Sequence, residues 1–119
     1  KLAVKALGNI RSETAKRLVL ERVSRKDFRD KDLDEKRDFF EVLAQWNDQE
    51  TTEFMVRMLK KRSFLKRAKS DENRACAAYG LGLMGNKDLL PLLDKFKDSK
   101  NKLLREYVHA ALRKIEHAG

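Results

Sequence analysis

A chain of 119 residues with 41% apolar content can bury one core, and its 28 Lys and Arg against 19 Asp and Glu leave a net charge of +9, which favours nucleic acid, an acidic protein face or an anionic membrane surface as partner. A single cysteine, Cys76, excludes an intrachain disulfide and makes a reducing cytoplasm the expected compartment. No run approaches the roughly 20 apolar residues of a membrane span, no signal peptide is visible, and one proline with five glycines argues against a turn-rich sandwich.

Lys1-Leu2-Ala3-Val4 opens the chain inside a helical pattern and without an initiator Met, so residues 1–119 are expected to form a single repeat domain that is a fragment of a longer protein. The spacing predicts helices over 1–10, 12–25, 33–47, 48–62, 71–85, 87–98 and 102–117. Ser12 before Glu13 marks a helix start, and Ala15, Leu18, Val19 and Val23 form its apolar stripe. Asn47 lies three residues before Glu50, a capping-box spacing, and leads into the stripe Thr51, Phe54, Met55, Met58, Leu59. Ser70 before Asp71 and Glu72 marks the next start, where small oxygen side chains accept from free amides and acids suit the helix dipole. Pro91 fits only near a helix start, where its missing N–H loses no bond. Leu89, Leu92, Leu93 and Phe96 form the stripe there, and Leu104, Tyr107, Val108, Ala111, Leu112 and Ile115 form the last one. No segment sustains a period of two, so no strand is expected.

One pattern recurs: a small or apolar residue, Leu four on, and an apolar residue three beyond. It appears as Ala3, Leu7, Ile10; as Phe39, Leu43, Trp46; as Ala77, Leu81, Met84; and as Val108, Leu112, Ile115, and all three columns move together by 36, 38 and 31 residues. A period of this size signals a solenoid, because one hairpin cannot bury its apolar face alone. The clearest copy, Asn73-Arg74-Ala75-Cys76-Ala77-Ala78-Tyr79-Gly80-Leu81-Gly82-Leu83-Met84-Gly85, resembles the second helix of bacterial HEAT-like repeats of the phycobilisome-lyase type. Arg74, Ala77, Ala78, Leu81, Gly82, Met84 and Gly85 carry the likeness, and Gly80 stands where Ala is usual. The resemblance implies an all-α fold, an α-solenoid of about three stacked antiparallel helix pairs, HEAT or armadillo-like. It also implies a protein-interaction scaffold without catalysis. Buried and equivalent positions are expected for Leu7, Leu43, Leu81 and Leu112.

Few residues offer chemistry. Asp30, Asp32, Asp34 and Glu41 match calcium-loop positions, but Glu35 stands where the loop needs glycine, so an acidic helix start is the reading. His109 and His117 lack the further ligands zinc needs. Deoxyhypusine hydroxylase, a HEAT-repeat enzyme, carries paired His-Glu motifs on its helices; here Glu116-His117 is a lone reversed pair. Cys76 among alanines reads as small-residue packing, and Trp46 as core. No cofactor, metal or catalytic residue is expected.

The excess charge is localised. Residues 24–32 hold four bases and three acids, 60–69 hold six bases and no acid, and 97–102 hold three bases and one acid, so these windows carry the whole excess of nine. All three are turns from a first to a second helix, which a hairpin solenoid gathers on one edge. Arg25, Lys26, Phe28, Arg29, Lys60, Lys61, Arg62, Phe64, Lys66, Arg67 and Lys69 are therefore the candidate partner-binding residues, on turns that project from one side with Phe28 and Phe64 about one repeat apart; an aromatic tucked back to pin its long turn is the alternative for each. The expected partner is another protein or an acidic surface. Nucleic acid or another polyanion on this basic turn edge is the alternative, as HEAT-like alkylpurine DNA glycosylases hold DNA on a concave face. A concave groove near Asp38, Glu41 and Arg74 is the second candidate surface.

Overall fold

The computed structural model describes residues 12–118, so the expected helix over 1–10, with Leu7 and the first copy of the repeat, lies outside the described residues. Six α-helices follow in order: α1 (Glu13–Ser24), α2 (Leu33–Ala44), α3 (Gln49–Lys60), α4 (Arg67–Met84), α5 (Leu90–Asp94) and α6 (Lys102–Glu116). Short 3-10 turns occupy Lys26–Asp30 and Lys87–Leu89, and no strand occurs among the described residues. The helices pair as α1 with α2, α3 with α4, and α5 with α6. The second helices α2, α4 and α6 lie side by side, with α4 in the middle and also packed on α3. No described helix is long and apolar enough to cross a membrane.

The core runs through all three pairs: Phe40, Leu43, Met55, Leu59, Leu81, Leu93, Leu104 and Ile115 are fully buried. Leu43 and Leu81 occupy the expected buried column. Leu112 does not: it is partly buried, while Val108, Ala111 and Ile115 face inward. Among the described residues no helix covers the far side of α6, so the edge of its stripe stays open. The small residues of α4 permit close helix approach. A Cβ on Gly82 would lie 2.9 Å from Ala111 Cα of α6, and one on Gly80 would lie 2.6 Å from Met55 Sδ of α3.

Several helix ends differ from expectation. Ser12 does cap α1, accepting from the Ala15 amide at 3.0 Å. Asp48, not Asn47, caps α3 by accepting from the Thr51 amide at 2.8 Å. Asn47 takes a left-handed conformation (φ 45°) that turns the chain after α2 stops at Ala44. Helix α4 starts four residues early, at Arg67, because the Lys66 carbonyl accepts from the Ser70 amide at 3.0 Å. Ser70 is thus inside the helix, and Asp71 pairs with Arg74 at 3.0 Å. The helix expected over 87–98 shrinks to α5, since the amides of Lys95 and Phe96 turn back to Leu92 and Leu93 at 3.1 and 2.9 Å. Gly85 closes α4 with φ 71°, a conformation that favours glycine.

Buried cations lock the pairs together. Lys16 of α1, 4% exposed, reaches Asp48 at 2.7 Å and Glu50 at 2.9 Å at the start of α3. Lys36 of α2, fully buried, donates to Glu72 at 3.0 Å and to the Lys69 carbonyl at 3.2 Å in α4. Arg74 of α4 donates to the Leu59 carbonyl at 2.8 Å, satisfying an end of α3 that has no intrahelical partner.

Candidate functional site: a basic cleft between two turns

The two long turns treat their aromatics differently. Between α1 and α2 the chain coils into a 3-10 turn, with Phe28 N–H donating to the Arg25 carbonyl at 3.2 Å and Lys31 N–H to the Phe28 carbonyl at 3.1 Å. That coil rotates Phe28 inward, where it is fully buried and meets Phe39 edge-on at 5.2 Å. Phe28 is therefore a core residue that pins its turn, and not the contact residue its place among the candidates made it. Between α3 and α4 the loop over 61–66 leaves Phe64 93% and Leu65 75% exposed.

A cleft of about 720 Å³ opens between these turns. Arg25, Lys26, Arg29, Arg57, Lys61 and Arg74 line it together with Val23, Phe54, Met58 and Leu65, and no acid is among the lining residues. Arg25 pairs with Glu21 at 3.3 Å and Arg74 with Asp71 at 3.0 Å. Among the described residues no ion-pair partner meets Lys26, Arg29, Arg57 or Lys61. Two polar atoms at the cleft are buried and unpartnered among the described residues, Arg29 Nε and Asn73 Oδ1. The cleft thus combines uncompensated positive charge with an apolar lining.

The remaining predicted residues separate. Lys66, left-handed at φ 49°, bonds to both Asp30 oxygens at 3.1 and 3.2 Å and joins the two turns. The Lys66 ammonium holds the Asp30 carboxyl below its usual range. Lys69 reaches the Lys31 carbonyl at 3.5 Å and Glu72 at 3.7 Å. Arg62 and Arg67 face a second cleft of about 740 Å³, shared with Lys95 and Lys100 but also with Asp71 and Asp98. Lys60 is exposed. The basic edge is therefore two clefts divided by the 61–66 loop, not one stripe. Sequence reasoning missed Phe54, Met58 and Asn73 as lining residues and misplaced Arg74. Arg74 lies between both clefts, with its guanidinium 5.6 Å from the Phe96 ring centre, and not on the concave groove. The spacing of Arg57 to Lys61, four residues on at the residue that ends α3, was the available signal for the side Arg57 shares.

The exposed side of α2, α4 and α6 carries a smaller polar network. Arg37 donates to the Tyr107 hydroxyl at 3.2 Å, Tyr79 donates to Glu41 at 3.3 Å, and the two tyrosine rings stand 6.2 Å apart. Burial, and the Glu41 carboxylate beside it, push the Tyr79 hydroxyl up. The acids at calcium-like spacing go separate ways, Asp30 to Lys66, Asp34 to Arg37 and Glu41 to Tyr79. His109 Nε2 sits 2.8 Å from the Lys97 carbonyl. Cys76 is fully buried, and burial pushes its thiol up to about 12.

Helix pairs stacked with their second helices side by side make this an all-helical, HEAT-like solenoid. No family model matches the chain, and no curated protein does. Among solved structures it is similar to human deoxyhypusine hydroxylase in complex with glycerol, with a TM-score of 0.71, 21% identity, and coverage of 98% of this chain and 37% of that one. At that identity the likeness shows the fold. It also corrects the expectation of a non-catalytic scaffold, because a HEAT-like array that matches almost all of this chain forms part of an enzyme and the fold therefore does not argue against catalysis. A metal centre built on His-Glu pairs does not fit these residues. Among the described residues no group of three or more His, Cys, Asp or Glu could hold a metal, and residues 1–11 contain none of these four types.

Proposed function

We propose that the chain is a repeat segment of a larger, cytoplasmic HEAT-type enzyme, in which it binds the anionic group of a substrate while residues outside these 119 supply the reacting groups. The observation that carries this reading is the cleft lined by six cations, no acid and the apolar residues Val23, Phe54, Met58 and Leu65. Support also comes from the coverage, since the chain spans about a third of the enzyme whose fold it shares. Lys26, Arg29, Arg57 and Lys61 attract and orient a carboxylate or phosphate. Arg29 offers a planar fork of donors suited to either group. Val23, Phe54 and Met58 cover the apolar body attached to it. A cleft of this size suits a compact amphiphilic anion, whereas a nucleic-acid backbone needs a continuous row of cations.

Calorimetric titration of the full chain with hexyl phosphate, octanoate and hexanol tests this. The two anions are expected to bind and the neutral alcohol to bind much more weakly. Arg29→Ala and Lys61→Ala should each weaken hexyl phosphate about tenfold, the scale of a lost charge-assisted hydrogen bond. Equal binding of hexanol, or unchanged affinity in both variants, would remove the cleft from consideration.

A further inference from the structure

Phe64 and Leu65 are, with Leu18, the large apolar side chains that stand exposed among the described residues, and they are adjacent at the tip of one loop. Around them the segment 60–69 has six bases and no acid. The loop is held at its base, because Lys66 is tied to Asp30 of the neighbouring turn at 3.1 Å. Leu65 also lines the basic cleft, so the apolar tip and the uncompensated cations are continuous. On the loop's other side Arg62 and Arg67, with Lys95 and Lys100, extend the positive field.

We propose that this loop docks the protein on an anionic lipid bilayer, with Phe64 and Leu65 entering the acyl boundary and Arg29, Arg57 and Lys61 receiving a lipid headgroup phosphate. The inference rests on the anion-binding reading of the cleft and names its ligand as a membrane lipid. Charge complementarity selects the occupant. A bilayer with acidic headgroups accepts apolar side chains beneath a layer of negative charge, which matches an apolar tip ringed by cations. A single-stranded nucleic acid would stack on Phe64 but gain nothing from Leu65. An acidic protein would need a preformed pocket for both side chains, which a bilayer does not.

The test is co-sedimentation of the full chain with vesicles of phosphatidylcholine, with and without phosphatidylserine. Binding is expected only with phosphatidylserine and should weaken as salt screens the exposed cations. The double variant Phe64→Ser, Leu65→Ser should bind at least about tenfold more weakly, since interfacial affinity scales with buried apolar area. Phe64→Trp should bind normally, with its fluorescence blue-shifted on vesicle addition and quenched by brominated lipid. No binding to phosphatidylserine vesicles, or binding unaltered in the double variant, would overturn the proposal. An unshifted Phe64→Trp spectrum would do the same, and soluble polyglutamate binding as tightly as the vesicles would assign the loop to an acidic polypeptide. Hexyl phosphate separates this from the cleft reading: a chain that binds it but ignores vesicles keeps the cleft and loses the membrane.

Discussion

Gly80 and Gly82, two residues apart on α4, meet different obstacles. A Cβ at Gly82 would press on the Ala111 backbone at 2.9 Å, so one helix must shift, whereas at Gly80 it meets only the flexible end of Met55 at 2.6 Å. Gly82→Ala is expected to cost about 1–3 kcal/mol as overpacking. Gly80→Ala should come out near neutral, because about 1 kcal/mol of helix propensity offsets moving Met55. Urea unfolding of both variants checks the order, and equal losses would mean that α4 and α6 are not in the close contact described. Lys36 gives a second contrast. Burial lowers its ammonium pKa and Glu72 opposes that. Lys36→Met should change stability little, since an apolar chain of similar length fills the same space. Glu72→Ala leaves a buried ammonium short of its carboxylate and should cost more, up to about 3–5 kcal/mol. Cys76, with its thiol pushed up to about 12, should resist an aromatic disulfide reagent until the protein is unfolded.

At the scale of elements, the junction of α1 and α3 sets a pH dependence. Burial alone would raise the Asp48 carboxyl, but the Lys16 ammonium and the Thr51 amide outweigh it and hold it at about 2. An unfolded aspartate titrates near about 3.9. The folded value is the lower one, so the contribution is complete above the unfolded value and is lost as pH falls through about 2. Lys16 is shifted upward, chiefly by Asp48, so its contribution is complete below the unfolded lysine value and is lost only in strong alkali. Asp48→Ala should therefore lower stability at neutral pH by about 1 kcal/mol as a lost cap, and flatten the acid limb of the stability profile. An acid limb identical to the parent's would show that another carboxylate governs it. Helix ends were only partly legible. Ser12 reads correctly because its neighbours allow one start. Near Ser70 several starts were chemically acceptable, and α4 takes an earlier one whose first turn contains no acid.

For the whole molecule, the repeat columns predict unequal sensitivity along the stack. Leu81 is fully buried in the central helix, and Leu81→Ala should cost about 2–5 kcal/mol. Leu112, half-buried on α6, should cost clearly less on the same change. A Leu112→Ala loss equal to that of Leu81→Ala would mean that the far face of α6 is covered in the protein. The stack also explains why its charge could be located from sequence but not resolved into sites. Pairing first with second helices places all three basic turns on one edge, whatever the turns do individually.

The sequence by itself determined the all-helical class, the pairing of helices, the register that buries Leu43 with Leu81, and the segment 60–69 as the densest positive charge. These follow from periodicity and composition, which act locally or repeat at fixed spacing. Only the tertiary structure decided that Phe28 turns inward while Phe64 stays out, that Lys66 is tied to Asp30, and that Arg29, Arg57 and Lys61 share one cleft. Such outcomes depend on which neighbour a turn finds beside it. Phe28 meets Phe39 and Phe40 of the helix that follows, whereas Phe64 stays exposed. The helical period fixes the apolar face of each helix, but the direction of an irregular turn is set by the surface against which it closes.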